Sequence, residues 1–444
     1  MQRTLLIACC VVCALWVSRV AAEDLTPLGA ERAGNEAGTI PQWTGGITVP
    51  PANYDPTRHD VDPYPDDPIL YTIDGANEQR YANVLSEGQV ALLRAYPDSW
   101  RMNVYPTRRS AAYPDFVYAA VSENAETAQV AEGDGGVRNS HVSSPFPQPK
   151  NGLEAIWNHI LRWRGQRIER AEGSAAVTAR GRYQVVLTLQ DLAFAYGWPP
   201  ESRRPGSFAN VLFGIKARVV LPAQLTGQGT LALETIDQTN DPRKVWLYLP
   251  SSRRMLRAPN YGYASPAPYT DALRTIDDFD LFSGPTDRFD WTLIGKREMV
   301  IPYNAYRVHS DAVEVRDILH EHTVNPELLR YELHRVWVVD ATLKAGQRHL
   351  YKRRTFYIDE DSWQILVVDC YDDRDQLWRI QEGHSVEYYD VPTFWTTLEL
   401  TYDLQAGRYL ALGLDNEEPQ TVDFNVKRTA ADFTPAAIAR RGTR

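Results

Sequence analysis

Cysteine is nearly missing from the body of this chain: of four in 444 residues, Cys9, Cys10 and Cys13 fall within the first 22 positions, leaving Cys370 alone afterwards. A single thiol excludes a disulfide within one subunit once that leader is removed. Cys370 ends the apolar run Ile365 to Val368, a setting for a buried, inert thiol rather than a nucleophile. Beyond the leader, no stretch approaches the roughly 18 consecutive apolar residues of a membrane span. Nor is there a Gly-rich phosphate loop, a G-x-S-x-G elbow, an H-E-x-x-H pair or a Cys/His nucleophile pattern, so the common catalytic signatures are absent. Positive charge is also in deficit. The net formal charge of -10 becomes -12 without Arg3 and Arg19, and a chain this acidic is a poor general binder of nucleic acid.

What is present begins with a secretory leader. Arg3 supplies a basic start, Leu5 to Val17 an apolar stretch, and Val20-Ala21-Ala22 the small residues of a cleavage site. Export to the periplasm with cleavage after Ala22 is the expectation. Leu6-Ile7-Ala8-Cys9 resembles a lipobox, but only eight residues precede that cysteine, too few for an apolar segment before the cut.

Residues 23–150 hold 14 of the 29 prolines, in runs such as Val49-Pro50-Pro51 and Asp62-Pro63-Tyr64-Pro65. Proline fixes φ and removes a ladder donor, so this part reads as an extended strap. Trp43, Tyr54, Tyr64, Tyr71, Trp100 and Tyr105 are too many large apolar groups for a disordered tail, so the strap is expected to pack on the remaining body, 151–444. Two helices are predicted: Glu78 to Tyr96, weakened by Gly88, and Gly152 to Trp163, with Asn151 as N-cap and Gly165 beyond.

From Ala175 onward strands dominate. Tyr183 to Leu189, Lys216 to Leu221, Thr230 to Ile236, Val245 to Leu249, Trp291 to Val300 and successive hairpins from Arg335 to Leu414 predict ten to twelve strands. Asp271 to Phe282 is read as a short helix or covering loop. The strands are apolar on both faces, so each face needs a cover, supplied by the protein or by a ligand. On alternation alone, Trp246, Tyr248, Trp337, Phe356, Leu366, Val368 and Trp378 are candidate lining residues of an apolar cavity.

Candidate chemistry is sparse. His320-Glu321-His322 lacks a third metal ligand and reads as a solvated loop. Asp277, Asp278 and Asp280, or Asp359-Glu360-Asp361, supply carboxylates for glycoside hydrolysis, though acidic residues between strands usually shape turns. Asp372-Asp373-Arg374-Asp375 lacks the glycine and glutamate of a calcium loop and reads as a hairpin tip. Basic pairs at Arg108-Arg109, Arg203-Arg204, Arg253-Arg254 and Lys352-Arg353-Arg354 are expected at strand rims, where lipid headgroups or an acidic partner are the functional alternative. No cofactor is implied.

The segments Gly34 to Gly46 (GNEAGTIPQWTGG), Trp157-Asn158-His159, Val245 to Pro259, Ile301-Pro302-Tyr303-Asn304 and Tyr331 to Trp363 resemble an uncharacterised Gram-negative domain-of-unknown-function family that is outer-membrane lipoprotein-sorting-like. The resemblance spans almost the whole chain after the leader. It implies a mainly β fold similar to LolA and LolB: a curved, incomplete antiparallel β-barrel with helices plugging its open side. Such relatives shelter acyl chains while crossing the periplasm. The resemblance also implies RND/MMPL-type permeases and an outer-membrane protein as partners, and it carries over no catalytic or ligand-contact residue. The expected function is a non-enzymatic carrier of a hydrophobic ligand such as a lipid. The alternatives are an envelope glycan-binding protein or glycosidase, and an adaptor between permease and outer-membrane partner.

Overall fold

Alternating residues from position 167 to 412 pair into one large sheet. A computed structural model describes residues 24–199, 202, 208–258, 262–419 and 422–441. The leader, with its cleavage site and Cys9, and the Arg203-Arg204 pair lie outside the described residues. The strap contributes β1 (Tyr71–Ile73), β2 (Met102–Val104) and a small separate hairpin, β3 (Gln129–Val130) and β4 (Val137–Arg138). A first meander follows: β5 (Arg167–Val177), β6 (Val185–Ala193), β7 (Val211–Leu221), β8 (Gly229–Thr235), β9 (Lys244–Leu249) and β10 (Arg254–Arg257). A second comprises β11 (Phe289–Pro302), β12 (Tyr331–Leu343), β13 (Arg353–Asp359), β14 (Ile365–Tyr371), β15 (Leu377–Tyr388), β16 (Thr393–Asp403) and β17 (Arg408–Leu412), and β18 (Val422–Asp423) returns to β5.

Fourteen of the sixteen strands described in the main sheet run in the order β1-β2-β12-β13-β14-β15-β16-β17-β5-β6-β7-β8-β9-β10, with β11 also on β12 and β18 on β5. Its ends do not meet, so the architecture is the expected open, incomplete antiparallel barrel with covering helices. The two meanders join where β17 pairs with β5, Tyr409 opposite Val177. The one parallel contact among the described residues sets Tyr331 beside Val104. In β11 the register skips Ile294 between Leu293 and Gly295. Gly295 takes φ 137°, which suits glycine, and the extruded Ile294 is 60% exposed.

Helices cover the second meander. The helical stripe predicted from Glu78 to Tyr96 divides into a 3-10 turn, Glu78–Val84, and α1, Glu87–Ala95. Ser86 and Gln89 form a capping box at the start of α1. Gly88, which weakens the helical pattern, is required by packing: a Cβ there would lie 2.3 Å from Asp369 Oδ1. That oxygen accepts hydrogen bonds from Ser86 Oγ at 2.9 Å and Gly88 N–H at 3.1 Å, so β14 holds the helix N-terminus. The predicted α3, Gly152–Leu161, is capped by Asn151 and packs on β11 and β12. α2 (Asp115–Thr127), the one-turn α4 (Val315–Ile318) and α5 (Pro435–Arg441) are the other α-helices among the described residues.

Strap side chains Leu28, Trp100, Tyr113 and Val117 belong to the same core cluster as Phe356 and Val368. Every residue of β14 is buried, so the second meander is covered on both faces by the protein itself. Two expected rim arginines are also interior. Arg109 and Arg354 are buried and ion-paired, because each carries its charge to aspartates brought in from distant segments. Arg254, by contrast, is exposed.

Burial raises the Asp369 carboxyl to about 7, against the opposing pull of its bonds from Ser86, Gly88 and Tyr357. A folded-state value above the unfolded one gives stability that is present below about pH 4 and lost as pH rises through 7. Asp369→Asn keeps an acceptor for Ser86 and Gly88, and the Tyr357 hydroxyl can turn to accept. Its melting temperature relative to the wild type is expected to rise between pH 4 and pH 8; an unchanged difference in calorimetric scans would refute this assignment.

Candidate functional site

Strands β10 and β11 are consecutive in sequence but lie on opposite flanks of the sheet, so the chain between them must cross back over a face. This crossover is fixed by three aspartates. Asp280, at φ 55°, accepts from Arg162 at 2.5 Å and Arg164 at 2.6 Å through one oxygen, while the Trp395 indole N–H donates to the other at 3.3 Å. Asp277 meets Arg354 at 2.9 Å and His349 at 3.0 Å. Asp278 accepts from Arg354 at 3.2 Å and caps the turn at Thr275. Burial would raise the Asp280 and Asp277 carboxyls, but the arginines outweigh it and hold both well below the usual carboxylate range. Arg354 also lies 4.9 Å from the rings of Phe282 and Phe289.

Beneath the crossover is a cavity of about 170 Å³. Its floor is one face of the first meander: Ser174 of β5, Thr188 of β6, Phe213 and Ile215 of β7, Ala232 of β8 and Val245 of β9. Its roof includes Pro268, Tyr269, Thr270, Arg274, Ile276 and Phe279, with Phe279 stacked on Phe213 at 5.0 Å. Charges around it are paired. Glu234 meets Arg243 at 2.7 Å and accepts from Tyr263 Oη at 3.0 Å. Arg274 meets Glu399 at 3.3 Å, and burial lifts the Glu399 carboxyl to about 7 against the pull of Arg274.

None of the seven residues selected by alternation lines this cavity. Phe356, Leu366 and Val368 are fully buried in the main core. Trp337 is half-buried, stacked on Trp363 at 6.1 Å, with Lys296 over its ring at 4.7 Å. Trp378 donates to Asp403 and carries Arg379 at 4.1 Å from its ring. Trp246 and Tyr248 do share a face of β9, but it packs against Phe433 and Ile438 near α5. Val245, on the other face of that strand, lines the cavity. A second hollow of about 250 Å³ touches Tyr248 and Ile438 but is lined also by the ion-paired Asp191 and Lys216. Alternation separated the faces of β9; only the path of the crossover determines which face is roofed.

The other acidic triplet is likewise neither a solvated turn nor a free acid pair. Asp361 takes two bonds from Arg109, at 2.7 and 2.8 Å, while Glu360 meets Lys296 at 2.9 Å and Arg335 at 3.2 Å. Arg109 donates onward to the carbonyls of Glu31 and Pro41, which ties the strap to the β13–β14 turn. Burial raises Asp359 to about 7, with Asp361 adding to the effect and His334 opposing it. His320 and Glu321 are exposed, and His322 stacks on Tyr96 at 5.0 Å, as a surface loop should. Asp372 accepts from the Arg374 and Gln376 amides, making the expected hairpin tip.

With this geometry established, comparison with other proteins gives a consistent set of relatives. Residues 72–439 match the family model for a protein of unknown function, DUF1329. An uncharacterised protein of Pseudomonas aeruginosa is 45% identical over 421 residues, spanning 95% of this chain and 92% of the relative. A crystal structure of a putative outer membrane lipoprotein-sorting protein domain from Vibrio parahaemolyticus is similar, with TM-score 0.42 and 13% identity, over 62% of this chain and 92% of that one. A DUF1329 family protein from Desulfovibrio piger gives the same four values. A LolA superfamily protein from Nitrosomonas europaea has TM-score 0.38 and 10% identity, over 64% of this chain and 98% of its own.

Asp280→Asn would leave Arg162 and Arg164 buried without their shared counter-charge. Loss of one partner from a buried ionic group costs about 3–5 kcal/mol, and a denaturant titration of this variant is expected to show a loss of that size. A change below about 1 kcal/mol would mean that the crossover is held by something else.

Proposed function

The chain belongs to the DUF1329 family, and from that premise we propose that it is a periplasmic carrier or chaperone holding the apolar part of a lipid or acylated molecule beneath the crossover. The supporting observation is the cavity itself: an apolar floor on β7 to β9, a roof from a connecting segment, and lining carboxylates, Glu172 and Glu234, that are ion-paired with Arg170 and Arg243. Each methylene withdrawn from water contributes about 0.8 kcal/mol, so an acyl chain gains affinity without any polar hot spot.

The space of about 170 Å³ is smaller than the roughly 300–1,000 Å³ usual for small-molecule sites. Loading therefore requires the roof to lift. Tyr269, Asp271 and Ala272, all within or beside that roof, hold left-handed backbone at φ 62°, 49° and 58°. Such conformations cost non-glycine residues free energy and cluster in segments that switch. The latch at Asp277, Asp278 and Asp280 supplies the fixed end about which residues 267–274 would move. Export by the leader and ligand exchange with an RND/MMPL-type permease and an outer-membrane protein belong to this same reading. The glycosidase alternative loses its acids to ion pairs, and no observation favours it.

Ala232→Trp places an indole in the cavity floor. This variant is expected to lose at least about tenfold in affinity for a fluorescent apolar probe, while Phe356→Leu, altered in the filled second meander, binds like the wild type. Near-UV circular dichroism of both variants controls for folding. Equal probe binding by wild type and Ala232→Trp, with no lipid in organic extracts of gently purified protein, would end the carrier reading.

A further inference from the structure

Three buried side chains, far apart in sequence, converge outside the cavity lining: His59 of the strap, His309 between β11 and α4, and Asp415 just after β17. One ligand atom from each lies within 4.8 Å of the others. The two imidazoles are tilted by 38° with centroids 5.3 Å apart.

Their hydrogen bonding does not close. His59 Nδ1 stands 2.8 Å from the His309 carbonyl oxygen, and its Nε2 stands 3.1 Å from the Glu418 carbonyl oxygen. A neutral imidazole has one N–H, so one of these contacts sets two lone pairs face to face unless a cation relieves it. His309 Nδ1 is 2.6 Å from Thr397 Oγ1 and 3.4 Å from Asp415 Oδ1. Its Nε2 is buried without a hydrogen-bond partner, and so is Asp415 Oδ1. Buried polar atoms are ordinarily satisfied, so two orphans beside an over-supplied acceptor set, all within reach of one point, are compatible with a shared cation. A proton on His59 would answer only the first conflict, and one on His309, whose Nδ1 is 3.4 Å from Asp415 Oδ1, would answer only the carboxylate. A metal ion answers all three.

We propose that His59, His309 and Asp415 form a binding site for a divalent first-row transition metal ion. Two imidazole nitrogens and a carboxylate are the donor set such ions prefer, whereas calcium and magnesium favour all-oxygen sites. One of the two carbonyls, of His309 or Glu418, would hold His59 through the ring nitrogen that does not bind the ion, and Thr397 is placed to orient His309. Access is available: His59 also lines an open cleft of about 590 Å³ with Arg58, Asp60, Tyr306, Arg307 and Asp311. The ion would act structurally, fastening the Pro-rich strap near residue 59 to the loop before α4 and to the end of the second meander.

The test uses the purified protein after chelation and desalting, with Zn²⁺ as the probe. Titration calorimetry is expected to show one tight equivalent, with a rise in melting temperature and slower hydrogen exchange across residues 53–65. His59→Gln and Asp415→Asn should each bind at least about tenfold more weakly, and neither should gain the thermal shift. The double variant His320→Gln/His322→Gln, on the surface loop, should bind like the wild type. Absence of a tight equivalent in the wild type overturns the site. So does undiminished affinity in both His59→Gln and Asp415→Asn, since the ion would then sit elsewhere.

Discussion

The placement of β10 and β11 on opposite flanks of one sheet is the constraint from which the rest follows. A connection of that kind cannot run along an edge; it must lie across a face and bury polar backbone as it goes. The aspartates of the crossover make that burial tolerable by meeting Arg162, Arg164 and Arg354 directly. The same path creates the roof over β7 to β9. Fold and candidate site are therefore two results of a single topological choice.

Buried ionic groups of this kind are weak contributors to net stability, because desolvation opposes their attraction. Their use here is positional. Asp280 fixes one point of the crossover against α3 and its following residues, and Asp361 fixes Arg109 and through it the strap. An apolar contact could have supplied comparable free energy, but it would have allowed the long connections to slide. The phenylalanines and Tyr351 around Arg354 show how the interior accommodates a guanidinium without exposing it.

Much of the fold was legible in the sequence because it is local. Alternation from Arg335 onward marks β12 to β17, and the apolar stripe with Asn151 marks α3. The resemblance supplied the open-barrel architecture. β5 is absent from the strands expected on alternation, the first of which is Tyr183 to Leu189, because Arg167 to Ala176 carries charges and small residues in place of a β-branched pattern. The site was less legible. Period-two alternation sorted Val245 from Trp246 and Tyr248, but which face a remote segment covers is not a property of the strand. The acidic clusters misled for the same reason: Asp277 and Arg354, or Asp361 and Arg109, are neighbours only after the chain has folded. The conflict at His59 carries no sequence signal, since its three partners come from widely separated regions.

The seam between the two meanders has a consequence for how the chain reaches this state. Val177 of β5 finds its partner only when Tyr409 of β17 arrives. A chain emerging from its N-terminus thus presents a completed first meander whose β5 edge is open until almost all of the sequence is available. Contacts this distant close slowly, and open edges invite pairing with the wrong strand. Assembly order, rather than final stability, is then the step at which this protein is most exposed to error.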